Sequence, residues 1–267
     1  MALPLSVQLY SVRDYCAKDF VAVLKKIADI GFKGVEPAGF WNIRPSELKK
    51  IVEDLGMKIY SSHSPWANPG NLGESMDVAA ALGLDTIVCG YGPDDFKDLD
   101  TIKKTAEQTA AMQALLARNG FTLFQHNHFW EFERIDGKLK YEIYRELCPE
   151  VKYEIDCFWS TNKGQECAVE MLKKFLDKTI LLHMKDGVCR QQAQNDGMKN
   201  GLLDMKIDLL PLGTGDLPIK DLIAASAAQP AIKTVIVELD YCEVEMYEAL
   251  GRSYRFMTEN GLAVGNK

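Results

Sequence analysis

A helix-patterned segment, then a glycine, an apolar residue and a short apolar run: this unit is met in turn at Gly31, Gly56, Gly83 and Gly120, and it restricts the fold more than any other feature. In the first copy Phe20, Val23, Leu24, Ile27 and Ile30 stand at helical spacing. Gly31 then stops the helix, because glycine takes up left-handed backbone without a steric penalty. Short strands alternating with helices pair in parallel, since each strand is reached by a crossover rather than a hairpin. The 267 residues suit a (β/α)8 barrel, which commonly takes about 250. An open doubly wound sheet is the alternative, but no G-x-G-x-x-G follows the first strand. The expectation is a single TIM-barrel domain over residues 1–267.

Along the chain, strands are expected over residues 6–10, 33–36, 57–63, 85–90 and 122–128, with three more ending at Asp156, His183 and Glu238. Ser46 reads as the N-cap of the second helix, and a helix is expected over 165–176. The loop carrying Pro65, Trp66, Pro69 and Gly70 reads as a lid or substrate wall. Residues 187–208, which include Arg190 and few apolar side chains, are expected to reach over the site.

Four of these strands pass from apolar residues to ligand-type ones. They are Thr122-Leu-Phe-Gln-His-Asn-His128, Tyr153-Glu-Ile-Asp156, Ile180-Leu-Leu-His183 and Val235-Ile-Val-Glu238. In a parallel barrel such ends converge at one mouth, where His126 (or His128), Asp156, His183 and Glu238 can share a divalent metal ion. Mixed imidazole and carboxylate donors favour Mn²⁺ first, then Co²⁺, Zn²⁺ or Fe²⁺; Mg²⁺ and Ca²⁺ prefer oxygen shells. Any one of these residues reads equally well as a hydrogen-bonded core group. The repetition of one strand position turns the balance toward a site. Glu36 and His63 end earlier strands and are expected to meet substrate hydroxyls. Trp66, Trp130 and Trp159 can stack on the apolar face of a small ligand, although packing is the commoner role for such aromatics.

Composition removes other classes. A formal charge of −7 argues against a nucleic-acid groove. No apolar run is long enough to span a membrane, and the first residues lack the pattern of a signal peptide. Seven scattered cysteines without a C-x-x-C pair point to a reduced, cytoplasmic chain, in which Cys157 and Cys189 read as small apolar groups. Arg190 is the one candidate for a phosphate clamp, so an unphosphorylated small molecule is the expected partner; a homo-oligomer is compatible with the sequence.

The run Ser6-Val-Gln-Leu-Tyr-Ser-Val-Arg-Asp14, Gly34-Val-Glu36, His126-Asn-His128 followed by Glu131-Phe132, Asp156-x-x-Trp159, His183-x-Lys-Asp186 and Gly213-x-Gly215 together resemble the xylose isomerase-like sugar phosphate isomerase/epimerase family. The resemblance spans essentially the whole chain and implies a metal-dependent barrel. Asp156, His183 and Glu238 match the family's Asp, His and final Glu, whereas His126 stands where a fourth, glutamate ligand is usual. That departure bears on a mechanism in which two metal-bound glutamates exchange the proton. The implied chemistry is proton abstraction beside a sugar carbonyl, with Glu238 as base and His126 or His128 as the opposing acid. Lys185 would neutralise the developing oxyanion. Returning the proton gives isomerisation or epimerisation; expelling a β-oxygen gives a lyase or dehydratase. An endonuclease shares the barrel but needs more histidines and a basic groove.

Overall fold

The computed structural model describes residues 2–189, 197–199, 202–204 and 209–267. Eight strands form the barrel: β1 (Leu3–Gln8), β2 (Gly34–Glu36), β3 (Lys58–Ile59), β4 (Thr86–Cys89), β5 (Thr122–His126), β6 (Lys152–Asp156), β7 (Thr179–Met184) and β8 (Val235–Val237). They pair in parallel in the order β4-β5-β6-β7-β8-β1-β2-β3, so the first and last strands of the chain are neighbours. Between β3 and β4 no ladder is present among the described residues; there Ala67 N–H donates to Val88 O at 2.9 Å. A short strand, Ala263–Val264, adds to the outer end of β1.

The helices alternate with these strands: α1 (Arg13–Ile30), α2 (Pro45–Asp54), α3 (Leu72–Leu82), α4 (Leu99–Arg118), α5 (Lys140–Leu147), α6 (Ala168–Phe175), α7 (Ile219–Ser226) and α8 (Met246–Glu259). The result is a (β/α)8 barrel. Helix α1 buries Phe20, Val23, Leu24 and Ile27, each contributing about 1.5–3 kcal/mol. Its regular part starts where the sequence suggested, because Asp19 leaves helical geometry and its Oδ1 accepts Ala22 N–H at 3.0 Å. Gly31 and Gly83 take positive φ (118° and 76°) as the expected helix stops.

Some local expectations are corrected. Ser46 is not a cap: α2 opens on Pro45, whose fixed φ and missing N–H suit the first helical position. Helix α6 is shorter than 165–176. Helix α5 and the hairpin pairing Arg134–Ile135 with Lys138–Leu139 lie between β5 and β6, where no element was expected.

Strand alternation sets the layers inside the barrel. Val88, Phe124, Ile180, Leu181 and Ile236 pack together as an apolar plug. Two residues further along β5, β7 and β8 stand His126, His183 and Glu238. An irregular register between Tyr153 and Glu154 sets Glu154 opposite Leu181 and Asp156 opposite His183.

Candidate functional site

β5, β6, β7 and the residue just past β8 supply His126, Asp156, His183 and Glu238. One ligand-type atom from each lies within 4.8 Å of the other three. Glu36, His63, Glu154 and His183 form a second quartet with the same property, and the residues of both are buried. His183 joins them through different nitrogens. Its Nδ1 is 2.7 Å from Glu238 Oε2, while its Nε2 is 2.7 Å from Glu36 Oε2 and 3.2 Å from Glu154 Oε1. His63 Nε2 completes the inner quartet at 2.5 Å from Glu154 Oε2 and 3.4 Å from Glu36 Oε2. Gln8 Nε2 donates to Glu36 Oε2 at 2.7 Å.

Lys185 stands among the outer carboxylates. Its Nζ is 2.7 Å from Asp156 Oδ2, 2.8 Å from Glu238 Oε2 and 3.1 Å from Asp240 Oδ2. Asp156 Oδ1 accepts the backbone N–H groups of Phe158 and Trp159 at 3.0 and 2.8 Å, which fixes the carboxylate. Asn127 supports the same strand end, accepting Asp156 N–H at 3.0 Å.

The electrostatics follow from burial and these pairings. Burial alone would raise Glu238, but Lys185 and His183 hold it well below the carboxylate range. Asp240 is raised to about 6: burial and the charges of Glu238 and Asp156 outweigh Lys185. Burial, with the charge of His183 next, depresses His126 well below the usual imidazole value. His128 is lowered to about 3 by burial and by Lys185. Both of these imidazoles are therefore neutral near pH 7, the form that ligates metal or donates an N–H hydrogen bond.

A cavity of about 400 Å³ opens over this cluster. Tyr10, His63, Trp66, His126, His128, Trp130, Lys185, Glu238 and Asp240 are among the side chains that line it. His128 stacks on Trp130 with ring centroids 4.4 Å apart, and Trp66 packs edge-on against His63 at 4.7 Å. Asp156, His183 and Glu36 lie behind the wall. Trp159 is buried as well, its ring 5.1 Å from Lys185 Nζ. Arg190 and most of the segment expected to cover the site lie outside the described residues.

Glu154 and Asp240 were missed. Each stands two residues from an acid that was singled out: strand alternation carries Glu154 to the same face as Asp156, while Asp240 lies past the end of β8 with Glu238 and joins it at Lys185. The donor set fits a divalent cation. Both ring nitrogens of His126 are buried without a hydrogen-bond partner, as is Oε1 of Glu36 and of Glu154, and paired imidazoles and carboxylates are the usual ligands of Mn²⁺, Zn²⁺ and Co²⁺.

Comparison with solved structures finds the same architecture end to end. A sugar phosphate isomerase/epimerase from Parabacteroides distasonis superposes with a TM-score of 0.74 at 19% identity, covering 99% of this chain and 96% of the other. A xylose isomerase domain protein from Planctomyces limnophilus gives 0.68 at 14% identity, with 98% and 96% covered. The fold is the TIM barrel of these proteins. The same fold is found in the probable 3-DHS dehydratase AsbF from Bacillus anthracis, with a TM-score of 0.72, 12% identity, and 96% and 99% covered. No protein-family model matches the chain, and no curated protein does. No helix among the described residues is long and apolar enough to cross a membrane.

Proposed function

We propose that this xylose isomerase-like barrel is a divalent-metal-dependent isomerase or epimerase acting on a small, unphosphorylated keto-sugar or polyol derivative. One observation carries the reading: two His/carboxylate quartets sharing His183 lie beneath a cavity of about 400 Å³. Such a volume is at the small end of ligand sites and suits a monosaccharide. A divalent cation held by His183 with His126, Asp156 and Glu238, the set expected from the sequence, would polarise a sugar carbonyl.

The side chains supply the rest. Glu238, kept ionised by Lys185 and His183, is the expected base, and Asp240 beside it titrates nearer neutrality and competes for that role. The Lys185 ammonium compensates negative charge developing on a substrate oxygen. Neutral His126 and His128 are suited to donating a hydrogen bond to a substrate oxygen rather than a full proton, so the proton taken by Glu238 would return from Glu238 itself, to the neighbouring carbon in an isomerase; epimerisation would need a second acid on the opposite face. Trp66 and Trp130 offer faces for the apolar side of a sugar ring. Elimination of a β-oxygen is the second reading, supported by the fold shared with a dehydratase.

The test is a screen of ketoses and 3-keto sugars in heavy water with Mn²⁺, followed by proton NMR. Deuterium entering at a carbon beside the carbonyl is the expected result. An unsaturated product or a released aglycone would replace the isomerase with the lyase. No turnover of any carbonyl sugar would overturn both.

A further inference from the structure

We infer that the inner quartet, Glu36, His63, Glu154 and His183, is itself a divalent-cation site, distinct from the one expected at the strand ends. The argument is one of distances and unmet acceptors. The inner ligand atoms are separated by 2.5 Å (His63 to Glu154), 2.7 Å (His183 to Glu36), 3.2 Å (His183 to Glu154) and 3.4 Å (His63 to Glu36). Ligands around a tetrahedral ion at bond lengths of about 2.0–2.1 Å stand about 3.3 Å apart. In the outer quartet His183 Nδ1 is 2.7 Å from Glu238 Oε2 and His126 Nε2 is 3.8 Å from Asp156 Oδ2, so the unmet acceptors rather than the spacing set the inner quartet apart.

The two quartets also differ in what already balances their charge. Asp156 and Glu238 share the ammonium of Lys185, at 2.7 and 2.8 Å. Glu36 and Glu154 ion-pair with imidazoles instead. Each Nε2 carries at most one hydrogen, so the two facing nitrogens cannot serve all four carboxylate oxygens. Oε1 of Glu36 and Oε1 of Glu154 are in fact buried and accept no hydrogen bond, although both residues are fully removed from solvent. A buried carboxylate oxygen without a donor is costly, and a cation among these atoms removes the cost for both at once.

Access and support are present. His63 forms part of the cavity wall, so an ion can enter from the mouth. With Nε2 of His183 on the ion, its Nδ1 hydrogen is donated to Glu238 Oε2 at 2.7 Å, the carboxylate-histidine-metal arrangement that fixes ligand orientation. Gln8 holds Glu36 from the other side. Two imidazoles with two carboxylates select Mn²⁺, Co²⁺ or Zn²⁺ over Ca²⁺.

The inference needs no substrate; with Nε2 on the inner ion and the Nδ1 hydrogen on Glu238, His183 leaves His126, Asp156 and Glu238 as the ligands of an outer ion. Crystals of the full chain soaked in Mn²⁺ are measured at a wavelength where manganese scatters anomalously. A peak within bonding distance of Glu36, His63 and Glu154 is expected, whether or not a second appears near Asp156; absence of a peak there overturns the site. In solution, titration of Mn²⁺ into metal-stripped protein compares Glu154→Gln and Glu36→Gln with Asp156→Asn, which leaves the inner ligands and their partners intact. The first two should weaken the tighter binding event by at least tenfold and the third by less than threefold. The reverse order would place the ion in the outer quartet alone. Because the diffraction measurement uses the unaltered protein, a variant that fails to fold leaves the decision intact.

Discussion

Lys185 Nζ lies 2.7 Å from Asp156 Oδ2 with both side chains removed from solvent, so a lysine on the residue after β7 neutralises the acid that ends β6. Glu238 and Asp240 share the same ammonium. Removing one partner of a buried pair leaves the other uncompensated. Lys185→Met should therefore lower stability by about 3–5 kcal/mol in urea denaturation with EDTA present. A divalent cation can replace the lost charge, so Mn²⁺ should restore more stability to the variant than it adds to the parent. Equal stability of the two without metal would show that the pair is not what holds these strand ends.

Asp186, next in the chain, has a different task. Its Oδ2 accepts the N–H groups of Gly213 and Gly215 at 2.8 and 2.9 Å, and its Oδ1 those of Gly187 and Leu217 at 2.9 and 3.1 Å. The acid of His183-x-Lys-Asp186 thus anchors the loop of Gly213-x-Gly215. A Cβ on Gly215 would stand 2.3 Å from Asp186 Oδ1 and 2.4 Å from Gly187 N, so the close approach requires glycine there. Asp186→Ala should cost about 3 kcal/mol or more, since several buried N–H groups lose a charged acceptor. Hydrogen exchange at Gly213 and Gly215 should accelerate. Unchanged exchange at both amides would remove the anchoring role.

Asp240 offers a pH signature. Its carboxyl is raised to about 6 by burial, with Glu238 and Asp156 adding to the effect and Lys185 opposing it. A base works only when deprotonated, so exchange of a substrate carbon-bound proton should rise with pH through about 6 and level off above it. Asp240→Asn should remove that limb and lower the rate by on the order of 100-fold. A profile that keeps the same limb in the variant assigns it to another group; Glu238, held well below the carboxylate range, would show its limb at lower pH.

The barrel was legible because its punctuation is local. Gly31 and Gly83 end helices by their own backbone freedom, and the apolar runs after them have no other place to go than a buried strand. The convergence of His126, Asp156, His183 and Glu238 was legible for the same reason: each closes an apolar run. The inner quartet was not, because Glu154 lies inside a strand rather than at its end, and only the pleat shows that it faces the same way as Asp156. His63 was read as part of a longer strand, yet the β3 ladder covers only Lys58–Ile59, and the extended chain beyond it carries His63 to Glu154 across the barrel. Helix α5 escaped notice because its eight residues hold three apolar-facing positions, Lys140, Tyr141 and Tyr144, one of which is a lysine. Pro45 outcompeted Ser46 at the start of α2, a contest between a fixed φ and a capping hydroxyl that spacing does not decide.

Glu131 supplies a stability test away from the metal ligands. It is fully buried; Oε2 accepts His128 N–H at 2.9 Å and Oε1 accepts Gln125 Nε2 at 3.2 Å. Burial pushes its carboxyl up to about 8 from the ordinary 4.5, against the pull of those hydrogen bonds. The folded chain then holds this proton over a range in which the unfolded chain has released it. Stability from this group is complete below about pH 4.5, falls as pH rises, and levels off above about 8, a loss on the order of a few kcal/mol. In Glu131→Gln the side chain no longer titrates, and Gln125 Oε1, buried without a partner, can turn to accept the new amide. The variant should match the parent near pH 5 and exceed it above pH 8 in thermal or urea unfolding. If the parent is instead the more stable of the two at high pH, Glu131 is ionised in the fold and the carboxyl is held by its donors rather than by its burial.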